Sequence, residues 1–332
     1  RFKEEYTLED LKSWFEELVH RYEKWARLQI EWEQMRDETI RNLKFPFSYR
    51  EGQFNLAASV YRTIARKKKL FIQAPTGTGK TMAVLYPAVR AMGEGLGEKI
   101  FYLTARTITR TVAEQAFFIL KEKGLKFRSV TLTAKEKICF CEKAECNPQA
   151  CPYAKGHFDR VNDAVYDLLK NGGGMGRKEI EEQAEKFQVC PFEFALDLSV
   201  WADGIICDYN YVFDPNVALK RYFGEGNRGE YIFLVDEAHN LVDRARQMYS
   251  AILVKEDFLT IKKYVKDTDR ALYNSLEKCN AGLLEYKRKC DTIDVIDYLG
   301  TFPAALERCY VRLQHFLEHH KNHPQQEEIL QF

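Results

Sequence analysis

The stretch QAPTGTGKT, Gln73 to Thr81, is entered from the apolar run LFIQA (Leu70 to Ala74) and leads into TMAVLYPAVRAM (Thr81 to Met92). The first run has the composition of a strand, and in the second Met82, Leu85, Val89 and Met92 recur at helical spacing. The order is therefore strand, glycine-rich loop, helix. A helix start leaves its first N–H groups unpaired and carries partial positive charge, so an anion docks there. In that setting Gly77, Thr78 and Gly79 bring backbone close to a phosphate, Lys80 reaches the terminal phosphates, and the Thr81 hydroxyl suits Mg²⁺. Ala74 stands where the strict G-x-x-x-x-G-K-[ST] pattern has its first glycine. Upstream, Arg50 and Gln53 in YREGQ form a polar pair whose amide matches the adenine edge, which favours ATP as the ligand.

Four further β-branched and aromatic runs follow at residues 99–105, 128–134, 203–209 and 231–239, interleaved with helical spacing. Strands alternating with helices predict an α/β fold, a mostly parallel sheet with helices on both faces. Functional residues then belong at the carboxyl ends of the strands. Lys80 meets that requirement, and so does VDEAHN (Val235 to Asn240), where an apolar strand ends in two carboxylates. Asp236 suits Mg²⁺, a hard cation that prefers oxygen ligands. Glu237 is placed to orient or deprotonate the water attacking a γ-phosphate, and His239 to sense the phosphate state. TARTITR (Thr104 to Arg110) ends another strand with hydroxyls and two arginines, so Thr104, Arg106 and Arg110 suit sugar–phosphate contacts. In CDYNYVF, Tyr209, Tyr211 and Phe213 alternate; Tyr209 or Tyr211 is the candidate stacking platform for a single-stranded base, with core packing as the plainer reading.

The 332 residues suffice for one to three domains, and 45% hydrophobic with 30% charged residues describes a chain with both a core and a charged surface. No run approaches the roughly 18–20 apolar residues of a bilayer span, and the start lacks a signal-peptide pattern. The expected location is cytoplasmic, with no membrane partner. Because residue 1 is Arg within a helical pattern already under way, the sequence reads as a piece of a longer chain. A net charge of +1 requires any DNA site to be local. Residues 7 to about 43 read as one long helix or two in series, with Thr7 and Asp10 forming a capping box and apolar residues three or four apart from Leu8 to Met35. About 65 residues, including NGGGMG at 171–176, interrupt the sheet pattern before residue 203. After Asn240 the chain turns helical and charged.

Five of nine cysteines (Cys139, Cys141, Cys146, Cys151 and Cys190) fall in that interruption. Grouped thiols in polar sequence bind metal, and spacing leaves tetrahedral zinc and an iron–sulfur cluster both open.

The order YREGQ, APTGTGKT, LTART, EKIC, EC, ACPYAKGHFD, CPFEF, CDYNYVFDP and VDEAHN resembles the XPD/DinG-type iron–sulfur DNA helicases of superfamily 2 over residues 46–332. The resemblance implies a RecA-like P-loop lobe with an inserted [4Fe–4S] domain and a helical arch. The implied divisions are a helical connector at 1–45, lobe residues 46–135 and 199–245, a cluster domain at 136–198 and an incomplete arch at 246–332. It implies Cys139, Cys146, Cys151 and Cys190 as ligands with Cys141 surplus, and ATP-driven 5′-to-3′ unwinding with roles in DNA repair. Single-stranded DNA and DNA junctions are the implied partners. A second RecA-like lobe, needed to complete the ATP site, has no counterpart after residue 240; a nuclease domain precedes the helicase in related bacterial proteins. The competing readings are a single-stranded DNA or partner-binding module with a non-hydrolysing P-loop, and a zinc-stabilised P-loop kinase or GTPase. The intact set Lys80, Thr81, Asp236 and Glu237 favours the enzyme.

Overall fold

The computed structural model describes residues 5–75, 77–105, 107–172, 174–321 and 323–332. The chain divides into two compact units, Arg1–Tyr249 and Ser250–Phe332.

The first unit begins with α1 (Leu8–Asn42), one continuous helix whose Thr7–Asp10 capping box is formed as expected. α2 (Gln53–Ala65) and α3 (Lys80–Met92) flank the P-loop, and then come β1 (Lys99–Thr104), α4 (Thr107–Glu122) and β2 (Ser129–Thr131). The interruption is helical, with α5 (Lys135–Ile138), α6 (His157–Lys170), α7 (Arg177–Phe187) and α8 (Pro191–Trp201). The chain returns to the sheet as β3 (Gly204–Asp208), makes the short turns α9 (Asn210–Phe213) and α10 (Lys220–Phe223), and closes with β4 (Tyr231–Val235) and α11 (Leu241–Met248).

All strand pairs are parallel and the order is β2-β3-β1-β4. β1, paired on both sides, is buried along its whole length: its centre is apolar apart from the Tyr102 hydroxyl, and the buried Lys99 at its start is satisfied by carbonyls. One apolar cluster packs α3 and α4 against one face of the sheet through Leu85, Val89, Ala113 and Phe117. The other cluster packs α6, α7 and α8 onto the opposite face through Val165, Ile180 and Leu198, so the cysteine-bearing insertion shares the core of the sheet.

One expected strand is absent from the sheet. LFIQA forms no ladder, and Phe71 is 90% exposed. Its composition is that of a strand, but among the described residues no strand pairs with it, and β4 is paired only with β1. A second difference concerns CDYNYVF, where the strand stops at Asp208 and residues 210–213 turn helical, so the alternation of aromatics is not that of a strand.

The amino ends of the strands are tied together by Asp203, which is only 3% exposed. Its carboxylate accepts hydrogen bonds from Trp32 Nε1 (3.0 Å), Arg36 Nη1 (2.8 Å) and the backbone N–H of Arg128 (2.8 Å). Its own N–H donates to the Arg128 carbonyl, and its carbonyl accepts from Ile100. The Arg128 guanidinium lies 4.0 Å from the Trp32 ring centroid. One residue thus joins α1 to the entries of β1, β2 and β3. Trp25 extends the docking by stacking on Trp201 at 4.8 Å, whereas Leu8, Leu11, Phe15, Leu18 and Tyr22 of the same helix remain exposed. Beside this junction the buried Lys99 donates to the carbonyls of Ser199, Val200 and Ala202 at the end of α8, and burial lowers its ammonium to about 8.

The second unit consists of α12 (Lys255–Tyr264), α13 (Arg270–Arg288), α14 (Phe302–His319) and α15 (Gln326–Gln331) around a core of Phe258, Leu272, Leu276, Leu313 and Phe316.

Removing the Asp203 carboxylate leaves the Arg36 guanidinium without its most buried partner. Asp203→Ala is expected to destabilise the first unit by about 3–5 kcal/mol, measured by urea unfolding. A loss within about 0.5 kcal/mol, the scale of a plain surface substitution, contradicts the role given to this junction.

Candidate ATP site

The P-loop takes its shape from two left-handed glycines, Gly77 at φ 78° and Gly79 at φ 74°, a conformation that costs a residue with a Cβ about 1–2 kcal/mol. Gly79 is also the N-cap of α3, with no side chain capping the first amides. A Cβ there would come within 2.5 Å of Gln53 Nε2. Gln53, buried at the start of α2, donates to the Gly79 carbonyl (3.3 Å) and accepts from the Arg50 N–H (3.0 Å), while the Arg50 guanidinium bonds the Gly77 carbonyl. Both residues expected beside the nucleotide thus reach the P-loop, yet their polar atoms hold loop backbone, and the expected match to an adenine edge is not displayed. Thr78 caps the Pro75 carbonyl (2.9 Å), and Lys80 Nζ donates to the Ala74 carbonyl (3.0 Å), folding its charge back over the loop.

β4 delivers the second half of the site. The Asp236 N–H continues the ladder by donating to the Leu103 carbonyl (2.9 Å), so its carboxylate emerges at the carboxyl end of the sheet. Burial first, and then the neighbouring Glu237 carboxylate, push the Asp236 carboxyl above its ordinary range; the Glu237 N–H, the charge of Lys80 and the Tyr102 hydroxyl oppose this. A half-buried carboxylate beside a second one offers the hard oxygen ligands that a divalent cation takes. His239 Nδ1 lies 3.5 Å from Glu237 Oε2.

One residue beside the site escaped the sequence reading, and another was given a different role there. Tyr102, in the middle of β1 and nearly inaccessible, is influenced at its hydroxyl by both Thr81 and Asp236, which places it between the two halves of the site; burial, the largest cause, and then the Asp236 charge hold its phenol well above the ordinary range. The only available signal was a hydroxyl-bearing aromatic inside an otherwise apolar strand. Tyr209 is the other: its ring is fully buried and its hydroxyl donates to the carbonyls of Asp236 and Glu237 (3.1 Å to the latter).

That burial corrects the expected DNA face. Tyr209 is 0% and Tyr211 8% exposed, so neither ring offers a face to a base; the helical turn after Asp208 carries both into the core. Thr104 is also fully buried at the end of β1. Arg110 is half-buried on α4, and Arg106 lies outside the described residues.

The cysteines of the insertion are free thiols, with Cys146 exposed and Cys139, Cys141, Cys151 and Cys190 half-buried. Among the described residues no three metal-ligating side chains converge on one point. Cys141, expected to be surplus, has its sulfur 3.8 Å from that of Cys151, whereas Cys146 points its thiol at the Ala144 carbonyl (3.5 Å). The donor chemistry, five soft thiols held in one region without disulfides, fits an iron–sulfur cluster or zinc.

Residues 55–145 match the DEAD/DEAH box helicase family and residues 122–258 the DEAD_2 family. The chain is 26% identical over 245 residues to the regulator of telomere elongation helicase 1 homolog of Caenorhabditis briggsae, covering 60% of this chain and 24% of that protein. It is 26% identical over 234 residues to the general transcription and DNA repair factor IIH helicase subunit XPD/RAD3 of Saccharomyces cerevisiae, covering 59% and 29%. The chain spans about a quarter of the length of these curated relatives. A solved XPD helicase superposes with a TM-score of 0.51 at 17% identity, over 85% of this chain and 47% of that one, a likeness of fold. Parallel sheet, P-loop and DEAH box are the features this chain shares with the matched helicase families. In these matches the chain is similar to helicases of the XPD/DinG type within superfamily 2.

Gly52, at φ 73° with open space around it, is a natural control for Gly79. Gly52→Ala is expected to lose about 1–2 kcal/mol to backbone strain alone, and Gly79→Ala more, because its Cβ also displaces Gln53. Equal losses in urea unfolding would show that the Gln53 contact does not constrain the loop.

Proposed function

We propose that this chain is the nucleotide-binding lobe of an ATP-dependent DNA helicase that moves 5′ to 3′ along single-stranded DNA. The observation that supports the reading is the nearness of the P-loop to the DEAH box, where the Asp236 carboxylate lies within the field of Lys80 and Tyr102 stands beside both Thr81 and Asp236. In this reading the free amides of α3 and Lys80 hold the phosphates, Thr81 and Asp236 hold Mg²⁺, and Glu237 receives the proton of the attacking water. His239, next to Glu237, is poised to register whether the γ-phosphate is present. A second RecA-like lobe supplies the remaining charges of the site, single-stranded DNA and junctions are the partners, and a nuclease domain upstream is compatible with α1 as its connector. A cytoplasmic setting and a role in DNA repair accompany this reading. Arg106 and Arg110 are the cationic candidates for the DNA backbone.

Cys139, Cys146, Cys151 and Cys190 would hold a [4Fe–4S] cluster. Bound there, the cluster crosslinks the loop after β2 to the start of α8.

Two measurements test the reading. Lys80→Ala is expected to weaken Mg-ATP binding by about 1.5–3 kcal/mol, the scale of a hydrogen bond to a charged group, and Glu237→Gln to leave binding intact while abolishing turnover in the full-length protein. Normal hydrolysis by Glu237→Gln would remove the role given to that carboxylate. For the cluster, anaerobically purified protein is expected to absorb broadly in the visible and to contain iron and sulfide. Serine at Cys139, Cys146, Cys151 or Cys190 bleaches it and serine at Cys141 does not. Stoichiometric zinc without sulfide excludes the cluster.

A further inference from the structure

Glu237 is one of three described residues other than glycine with a left-handed backbone, at φ 49° and ψ 45°. Such a conformation is disfavoured and persists only where surrounding contacts enforce it. The enforcing contacts converge on the Glu237 carbonyl, which accepts from the Asn240 N–H (3.0 Å), from Asn240 Nδ2 (2.9 Å) and from the Tyr209 hydroxyl (3.1 Å). The two Asn240 bonds are local to the turn. Tyr209 comes from elsewhere in the fold, beyond the end of β3 and separated from β4 by β1, and its hydroxyl also bonds the Asp236 carbonyl.

A second tie runs alongside. Arg244 of α11, the helix that leaves the DEAH box, donates to Asp208 Oδ1 (3.0 Å) and Asn210 Oδ1 (3.2 Å), the residues on either side of Tyr209. The turn and the helix after it are therefore both anchored to residues 208–210. Burial of the Tyr209 ring, which is 0% exposed, fixes where its hydroxyl sits.

We propose that Tyr209 is a positioning residue for ATP hydrolysis. Its hydroxyl fixes the Asp236–Glu237 peptide so that Glu237 stays left-handed with its carboxylate directed at the water position. The inference rests on the catalytic role of Glu237 stated above.

The test uses Tyr209→Phe, which keeps the buried ring and deletes only the hydroxyl. In the isolated chain, hydrogen exchange at the amides of Ala238 to Asn240 is expected to quicken while that of β1 and β3 stays unchanged; unchanged exchange at 238–240 overturns the proposal without reference to catalysis. In the full-length protein the variant is expected to lower kcat for ATP about tenfold, the rate equivalent of one hydrogen bond, with KM for ATP within about twofold. Turnover equal to wild type, or a rise in KM with kcat preserved, also overturns it. If Glu237→Gln alone turns over normally while the exchange effect is present, the reading of Glu237 fails and the anchor stands as structure. Arg244→Gln, which removes the parallel tie without touching the core, is expected to quicken exchange in the same turn; no change there overturns the account of a shared anchor at residues 208–210.

Discussion

The buried carboxylate of Asp203 is the constraint on which the first unit depends. A carboxylate at 3% exposure is tolerable only when its acceptor capacity is filled, and here it is filled by an indole, a guanidinium and a backbone amide drawn from two different segments. Because those segments are α1 and the entry to β2, satisfying one side chain fixes the register of the N-terminal helix against the amino edge of the sheet. The opposite edge is left for loops. Chemistry and anchorage thus occupy opposite ends of the same strands, and Lys99 extends the division by holding the end of α8 at the anchored edge.

The carboxyl edge is assembled by backbone geometry as much as by side chains. Gly77 and Gly79 take left-handed angles at no steric cost, whereas Glu237 takes one against its preference and is restrained by hydrogen bonds. The two halves of the site therefore reach their shapes by different routes. The P-loop half is permissive, held by Arg50 and Gln53 through its own carbonyls, and the DEAH half is strained and fixed from a distance.

Much of this was legible in the sequence because it depends on local pattern. The capping box at Thr7, the glycines before Lys80 and the carboxylates after Val235 each act within a few residues, so their chemistry shows in the order of letters. The failures share a cause. LFIQA has the composition of a strand, but a strand exists only with a partner, and pairing is not written in five residues. The aromatics of CDYNYVF alternate as in a strand, yet the helical turn at 210–213 places two of them in the core. Tyr102 was missed, and Tyr209 was given a stacking role instead of its place beneath the DEAH box, because each acts across the sheet through a hydroxyl whose target lies far away in sequence. The cysteine cluster was visible as a group, but which thiols approach one another depends on loop conformation, and Cys141 lies nearer Cys151 than the resemblance implied.

The unpaired side of β4 has a practical consequence. Among the described residues that strand is paired only with β1, and Phe233 on it is 43% exposed. A parallel strand with free N–H and C=O groups and an aromatic ring beside them is a template on which a strand of another molecule can assemble. Phe71 and its neighbours have the composition of a strand and form no ladder. An open parallel edge and an unladdered segment of strand composition thus occur in one chain, the combination that natural sheets keep covered against edge-to-edge pairing.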